Sequence, residues 1–356
     1  MPINIMVSGA TLTGKTMTVV ALASKLKGRG ARVAYFKPFG EHSLETPGMA
    51  HDVEPDAVLM KEFLGMTVDE QTISPLIYSP STHSELLKAG HDALAKRIRE
   101  CYQKVSQDAD YVLLESPPRP WDLLHLGFSS PQLAKMFDAS VLCLVTLSEP
   151  SAIDEVLLHR DFFVHHGVDS VGMILFMVPP MLRALVSDEI GPRLKSLGVN
   201  VCGVVFQNRE LFAPSIRDIV TALRGELLVT PERMDTPIGQ FVVGSMEPDN
   251  ALKWFRRTPD KAVITSGDRS DVCLAALETD TRLLILTGGL EPDVRTVSQA
   301  KSRGVPILLT SLDTYSVSQI VDKLVGTIAP GDTERIAAAQ RLIGDAVDFS
   351  CMLPKD

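Results

Sequence analysis

The segment Gly9-Ala10-Thr11-Leu12-Thr13-Gly14-Lys15-Thr16 constrains the fold more than any other stretch of the chain. It has the spacing G-x-x-x-x-G-K-[ST]. An apolar run, residues 3–8, precedes it, and an amphipathic stretch, residues 16–27, follows. A strand that turns over small residues into a helix leaves backbone N–H groups pointing into the turn. The helix N-terminus adds its positive end there, so the turn is built for an anion. In this spacing the lysine reaches the β- and γ-phosphates of a nucleoside triphosphate, and the hydroxyl after it sits on Mg²⁺. The sequence therefore predicts a nucleoside triphosphate with Mg²⁺ at Gly9, Ala10, Thr11, Leu12, Thr13, Gly14, Lys15 and Thr16.

The rest of the chain agrees with that start. Strand-like apolar runs recur at residues 32–36, 111–115, 140–147, 171–176 and 201–206, with helical patterns at 84–105, 153–165 and 181–197. Strands alternating with long helices require crossover connections. They predict an α/β fold of the P-loop NTPase type, a mostly parallel sheet with helices on both faces. The pattern falters at Arg224-Gly225-Glu226 and resumes in shorter units. Strands are expected at 262–265, 283–287 and 307–310, and helices at 250–256, 271–278, 292–303 and 316–323. The expected organisation is a P-loop domain over residues 1–225, a smaller α/β domain over 226–347 and a tail over 348–356.

The formal net charge of -9 argues against a nucleic-acid partner, because such binding needs a basic surface that releases phosphate counterions. No apolar run approaches the 18 residues of a membrane span, and residues 2–7 read as a strand rather than a signal peptide. The five cysteines, Cys101, Cys143, Cys202, Cys273 and Cys351, include no CxxC pair. They read as buried free thiols of a cytoplasmic protein. A symmetric homodimer is the default assembly.

Two sets of acids are candidates to complete a magnesium site. Glu115 ends an apolar strand, at the carboxyl edge where ligands of open α/β sheets sit. Asp56 is the second, from the cluster Asp52, Glu54 and Asp56, which a solvated helix N-terminus explains equally well. Lys37 follows the second strand, where it could bridge a nucleotide phosphate and an acidic substrate.

These segments resemble a known group. Residues 7–16, Phe36-Lys37-Pro38 and Leu113-Leu114-Glu115 are similar to dethiobiotin synthetase. They are closer still to the dethiobiotin-synthetase-like N-terminal region of long phosphotransacetylases. Pro55-Asp56-Ala57 and the stretch Ser130-Pro131-Gln132-Leu133-Ala134 follow that region as well. The later part resembles the DRTGG domain, through Gly267-Asp268-Arg269 and Thr287-Gly288-Gly289, flanked by Val243-Gly244-Ser245-Met246 and Asn250-Ala251-Leu252. The resemblance carries over Lys15 and Lys37 as catalytic, and Thr16, Asp56 and Glu115 as metal contacts. Two departures stand out. Ser116-Pro117-Pro118-Arg119-Pro120 replaces a Gly-rich substrate loop. Phe176-Met177 stands where the family has an asparagine reading the base; an apolar pair could stack on or flank a base but cannot make the amide's paired hydrogen bonds. The acetyl-transfer domain of long phosphotransacetylases follows the DRTGG domain, and this chain is expected to lack that activity.

The segments Gly267-Asp268-Arg269 and Thr287-Gly288-Gly289 lie at the ends of two predicted strands and would share one carboxyl edge. Arg269 could fork onto a phosphate or carboxylate of a small metabolite or nucleotide. Equally, Asp268 and Arg269 could form a structural ion pair, with the glycines making tight turns. Three functions remain open at this point. The chain reads as an ATP- and Mg²⁺-binding regulatory protein with a DRTGG ligand sensor. It reads alternatively as an ATP-dependent ligase or amide synthase, like dethiobiotin synthetase or cobyrinic acid a,c-diamide synthase, acting through an acyl-phosphate. A simple NTPase coupled to a partner protein is the third.

Overall fold

The computed structural model describes residues 2–10, 13–41 and 54–352. Thr11, Leu12 and Asp52 lie outside the described residues. The chain forms two compact units. The first is Met1–Gln207 with Ile328–Asp356, and the second is Asn208–Thr327.

The first unit is built on six parallel strands: β1 (Ile3–Gly9), β2 (Val33–Phe36), β5 (Tyr111–Glu115), β6 (Ser140–Thr146), β7 (Val171–Val178) and β8 (Val201–Phe206). Their order is β2-β5-β1-β6-β7-β8, and a separate two-stranded pair joins β3 (Phe39–Glu41) to β4 (Leu76–Tyr78). The central strands are apolar on both sides, as buried parallel strands must be. Alternation divides them between two cores. Met6, Leu114, Val141, Cys143, Met173 and Leu175 share a core with residues of the helices His83–Ser106 and Ile153–His165. On the other face lie α1 (Lys15–Gly28), against β1 and β5, and the helix Thr333–Ala346, against α1 and β8. After β1 the chain moves to β2 on one side of the sheet and only later, with β6, to the other side. β1 therefore lies at the topological switch point, where open α/β sheets bind ligands.

The second unit has its own sheet, ordered β10-β11-β12-β13-β9. β10 (Gln240–Val243), β11 (Lys261–Ser266), β12 (Thr281–Thr287) and β13 (Ile307–Leu309) are parallel, while β9 (Glu226–Val229) pairs antiparallel with β13. Val263, Leu284 and Leu286 face one core, and Ala262, Ile264, Leu283 and Ile285 face the other.

Two expectations need correction. The boundary is not at 225 and the smaller unit does not run to 347: the helix Ile216–Leu223 packs in the second unit, and the chain re-enters the first at Ile328. The reason is side-chain complementarity, since Ala338, Ala339 and Ile343 are buried and Gln340 Nε2 donates to Ser24 Oγ on α1 at 2.7 Å. Nor are all five cysteines thiols. Cys202 and Cys351 form a disulfide across 149 residues, leaving Cys101, Cys143 and Cys273 free. No helix among the described residues is long and apolar enough to cross a membrane.

Candidate functional site

β1 delivers Gly9 to the carboxyl edge, and α1 starts at Lys15. Thr13 closes the turn, with its N–H and its hydroxyl both donating to the Ala10 carbonyl, at 3.3 and 2.6 Å. Gly14 is left-handed at φ 75° and caps α1. A Cβ there would stand 2.5 Å from the Phe176 ring, so both the backbone angle and the neighbour require glycine. Phe176 is itself fully buried, with its ring against the Gly14 position. Met177, at φ 54°, occupies the irregular pairing between β7 and β8.

Lys15 is buried. Its ammonium donates to Ala10 O at 3.2 Å, Pro118 O at 3.2 Å and Gly9 O at 3.5 Å. The proline segment that replaces the Gly-rich loop thus supplies a carbonyl acceptor, the one polar group proline retains. Burial lowers the Lys15 pKa, and Lys37 adds to that against the pull of Glu115. Thr16 Oγ1 donates to Glu115 Oε1 at 3.2 Å. The other oxygen of Glu115 accepts from Tyr35 at 3.0 Å. Register makes these meetings inevitable, because Glu115 pairs with Val7 on β1 while its neighbour Leu114 pairs with Phe36 on β2.

Lys37, the residue after the end of β2, is enclosed by acids. Its Nζ lies 2.6 Å from Glu54, 2.5 Å from Asp56 and 3.6 Å from Glu115. Glu54 also caps α2 (Pro55–Leu64), accepting from the Ala57 N–H at 2.8 Å. Three carboxylates around one ammonium cannot all ionise freely. Burial, then the charge of Asp56, pushes the Glu54 pKa up to about 8. Burial raises Glu115 as well. Asp56 is also penalised by burial, but Lys37 outweighs this and holds it below the ordinary range. Lys37 is raised well above its ordinary value: desolvation opposes its charge, and the carboxylates overcome it.

The structure therefore gathers Gly9, Ala10, Thr13, Gly14, Lys15, Thr16, Lys37, Asp56 and Glu115 at one sheet edge. Tyr35 and the carbonyl of Pro118 were not anticipated. Tyr35 was findable from its nearness to Lys37 in the chain, whereas nothing in the sequence marks a backbone carbonyl. Among the described residues no group of three or more His, Cys, Asp or Glu side chains forms a metal cage. Mg²⁺ does not require one, being held by one or two carboxylates, substrate phosphates and water. The paired oxygens of Thr16 and Glu115 fit that kind of site.

In the second unit Ser266 pairs with Thr287, so the turns after β11 and β12 do leave from one edge. They touch: a Cβ on Gly267 would fall 1.7 Å from the Leu290 carbonyl oxygen. Gly288 and Gly289 donate their N–H groups to Leu312 O and Thr310 O, at 2.8 and 2.9 Å. The Thr287 hydroxyl meets that of Thr314 at 2.8 Å. Arg269 donates to Met246 O at 3.1 Å and pairs with Asp271 rather than Asp268. The motif holds adjoining loops together at this edge, and Asp268 is exposed.

Residues 4–215 match the family described as AAA domain. The chain belongs to that family. Residues 218–324 match the DRTGG domain, so this member of the AAA domain family carries a DRTGG domain after its P-loop domain. Among its relatives are the phosphate acetyltransferases of Nitratidesulfovibrio vulgaris, 26% identical over 95% of this chain and 49% of that protein, and of Synechocystis, 23% identical over 96% and 50%. The chain spans about half the length of these curated relatives. Among solved structures, the CBS and DRTGG domains of the regulatory region of Clostridium perfringens pyrophosphatase, complexed with the activator diadenosine tetraphosphate, align at 19% identity. That alignment covers 41% of this chain and 72% of the other, with a TM-score of 0.30.

Proposed function

We propose that the first unit binds ATP with Mg²⁺ and that the DRTGG domain binds a second small metabolite or nucleotide, each ligand changing the other's affinity. One observation carries the nucleotide half: the Thr16 hydroxyl and the Glu115 carboxylate meet at 3.2 Å beside the first turn of α1, where Lys15 also starts. A hard cation and an anionic chain have complementary partners there. In this reading Lys15 exchanges its carbonyl acceptors for phosphate oxygens, and Glu115, alone or with Asp56, faces the metal. Arg269 is the proposed contact in the second unit, with Gly267, Asp268, Thr287, Gly288 and Gly289 shaping the edge around it.

The ligase reading needs Lys37 to reach a substrate carboxylate or phosphate. Glu54 and Asp56 already hold that ammonium at 2.6 and 2.5 Å, which favours a regulatory binding protein over an acyl-phosphate enzyme.

The test is calorimetric titration with Mg-ATP, combined with phosphate release in the presence of dicarboxylic and diamino acids. Uptake is expected in the unaltered chain and loss of at least about tenfold in affinity for Lys15→Ala, a charge-assisted contact. Negligible release under every condition fits regulation, whereas release stimulated by one acid restores the ligase. The second site is tested by a panel of nucleotides, dinucleoside polyphosphates and carboxylic acids. A ligand there must raise the melting temperature of the unaltered chain and not that of Arg269→Ala. By reciprocity it must change the Mg-ATP affinity by the same factor as ATP changes its own.

A further inference from the structure

The segment that returns to the first unit is seated on two glycines of adjacent strands. On β7, a Cβ at Gly172 would lie 2.4 Å from Cys202 Sγ and 2.7 Å from Met352 Sδ. On β8, a Cβ at Gly203 would lie 2.6 Å from the Ala346 carbonyl oxygen and 2.8 Å from Val347 Cα. Any larger residue at either place would lift the segment off the sheet. With this room, Gly203 and Val347 form an antiparallel bridge, and the Asp348 N–H donates to the Cys202 carbonyl at 2.8 Å. The Cys202–Cys351 disulfide closes the same contact.

The opposite side of this segment rests on α1. Gln340 bonds Ser24, the Gly344 position is in contact range of the Lys25 side chain, and the Lys25 ammonium stands 5.5 Å over the Phe349 ring. Leu22, Lys25, Leu26 and Arg29 of α1 and its end line a small cavity with Asp348, Phe349 and Ser350. Residues 333–352 therefore connect the edge strand β8 to the helix whose first residue is Lys15. Cys202 is buried, whereas Cys351 is half-buried and is the more exposed of the two.

We propose that Cys202 and Cys351 are a redox-modification site, a thiol–disulfide lock that sets how firmly the return segment grips α1. The reductant is a dithiol. One of its thiolates attacks Sγ of Cys351, the Cys202–Cys351 bond breaks, and Cys202 leaves as a thiolate that takes a proton from water. The second thiolate of the reductant then attacks the mixed disulfide and releases Cys351. Two electrons and two protons pass to the protein, and the reductant becomes a cyclic disulfide. A pair that joins segments 149 residues apart constrains much chain when closed. Opening it frees residues 347–352 from β8 and loosens the cover of α1. The consequence for nucleotide uptake rests on the nucleotide-binding reading of the loop.

The test uses the full chain purified without reductant. Thiol titration in denaturant is expected to find the three cysteines that are free here, and all five after dithiothreitol. Hydrogen exchange is expected to quicken on reduction in α1 and residues 333–352 but not in β10–β13. Mg-ATP affinity is expected to fall about fivefold or more, a typical coupling between linked sites. Cys351→Ser should match the reduced chain and ignore dithiothreitol. Five thiols without reductant, or unchanged exchange in α1, overturns the lock. If exchange responds but neither state takes up Mg-ATP, the nucleotide reading fails and the lock stands. If both states bind Mg-ATP equally, the proposed control of uptake is overturned.

Discussion

Lys37 is a buried ammonium held among three acids, and the energetics of such a group are lopsided. Removing the cation leaves buried carboxylates unpaired, a loss of about 3–5 kcal/mol. Lys37→Met is accordingly expected to destabilise the first unit by that amount, read by urea denaturation; a change below 1 kcal/mol would mean that the cluster relaxes without its cation. Glu54 gives the cluster a pH signature. Its carboxyl rises from the ordinary 4.5 to about 8, so between those values the folded chain holds a proton that the unfolded chain has lost. Stability then falls as pH rises through that window and is fully retained below it. Glu54→Gln keeps an oxygen for Lys37 and for the α2 cap. It should flatten the decline in melting temperature between pH 5 and 8, and an unchanged slope would assign the effect elsewhere. Asp110, held down to about 2 by its hydrogen bonds to Arg32, is exposed and titrates far below this window.

At the scale of elements, legibility followed burial. The strands β1, β5, β6, β7 and β8 could be read from continuous apolar runs, because two-sided burial leaves a strong pattern, and the helices Ile153–His165 and Pro248–Phe255 from spaced apolar positions on one face. β3, β4, β9 and β10 were missed, since Phe39–Glu41, Leu76–Tyr78, Glu226–Val229 and Gln240–Val243 are too short to show a period. The helix expected over 84–105 is present but breaks at Gly90, whose φ of 75° is non-helical. The one expected over 181–197 is a succession of 3₁₀, α and π turns from Pro180 to Ser196. In the site, Lys15, Thr16 and Glu115 were legible from spacing and strand ends. The meeting of Glu54 and Lys37 was not, because it depends on how α2 packs beside β2. One element invites a simple change. The helix Ile216–Leu223 ends on Arg224 at φ 48°, a conformation glycine adopts without steric penalty. Arg224→Gly should stabilise the second unit by about 1 kcal/mol. A lower melting temperature would show that the arginine side chain contributes more than its backbone angle costs. Gly203→Val should act oppositely, with faster proteolysis in residues 328–352 as the readout.

On the scale of the molecule, the second unit is an insertion in the first. Residues 208–327 have two cores on the two sides of one sheet and both ends within one contiguous stretch. Expressed alone, this stretch should unfold cooperatively and disperse its amide NMR signals; a molten product would show that it needs the rest of the chain. The sequence could not reveal the insertion, because the helix Thr333–Ala346 is an ordinary amphipathic segment whose address is set by α1 and β8. Its position has a consequence for biosynthesis. Translation delivers the front strands of the P-loop sheet first and the cover for α1 after more than three hundred residues. The middle of the polypeptide can reach its native form on the ribosome while the front still exposes one greasy flank. Nascent chains stalled before residue 333 should therefore engage holdase chaperones through α1 and β8, and release them only once the helix Thr333–Ala346 has emerged.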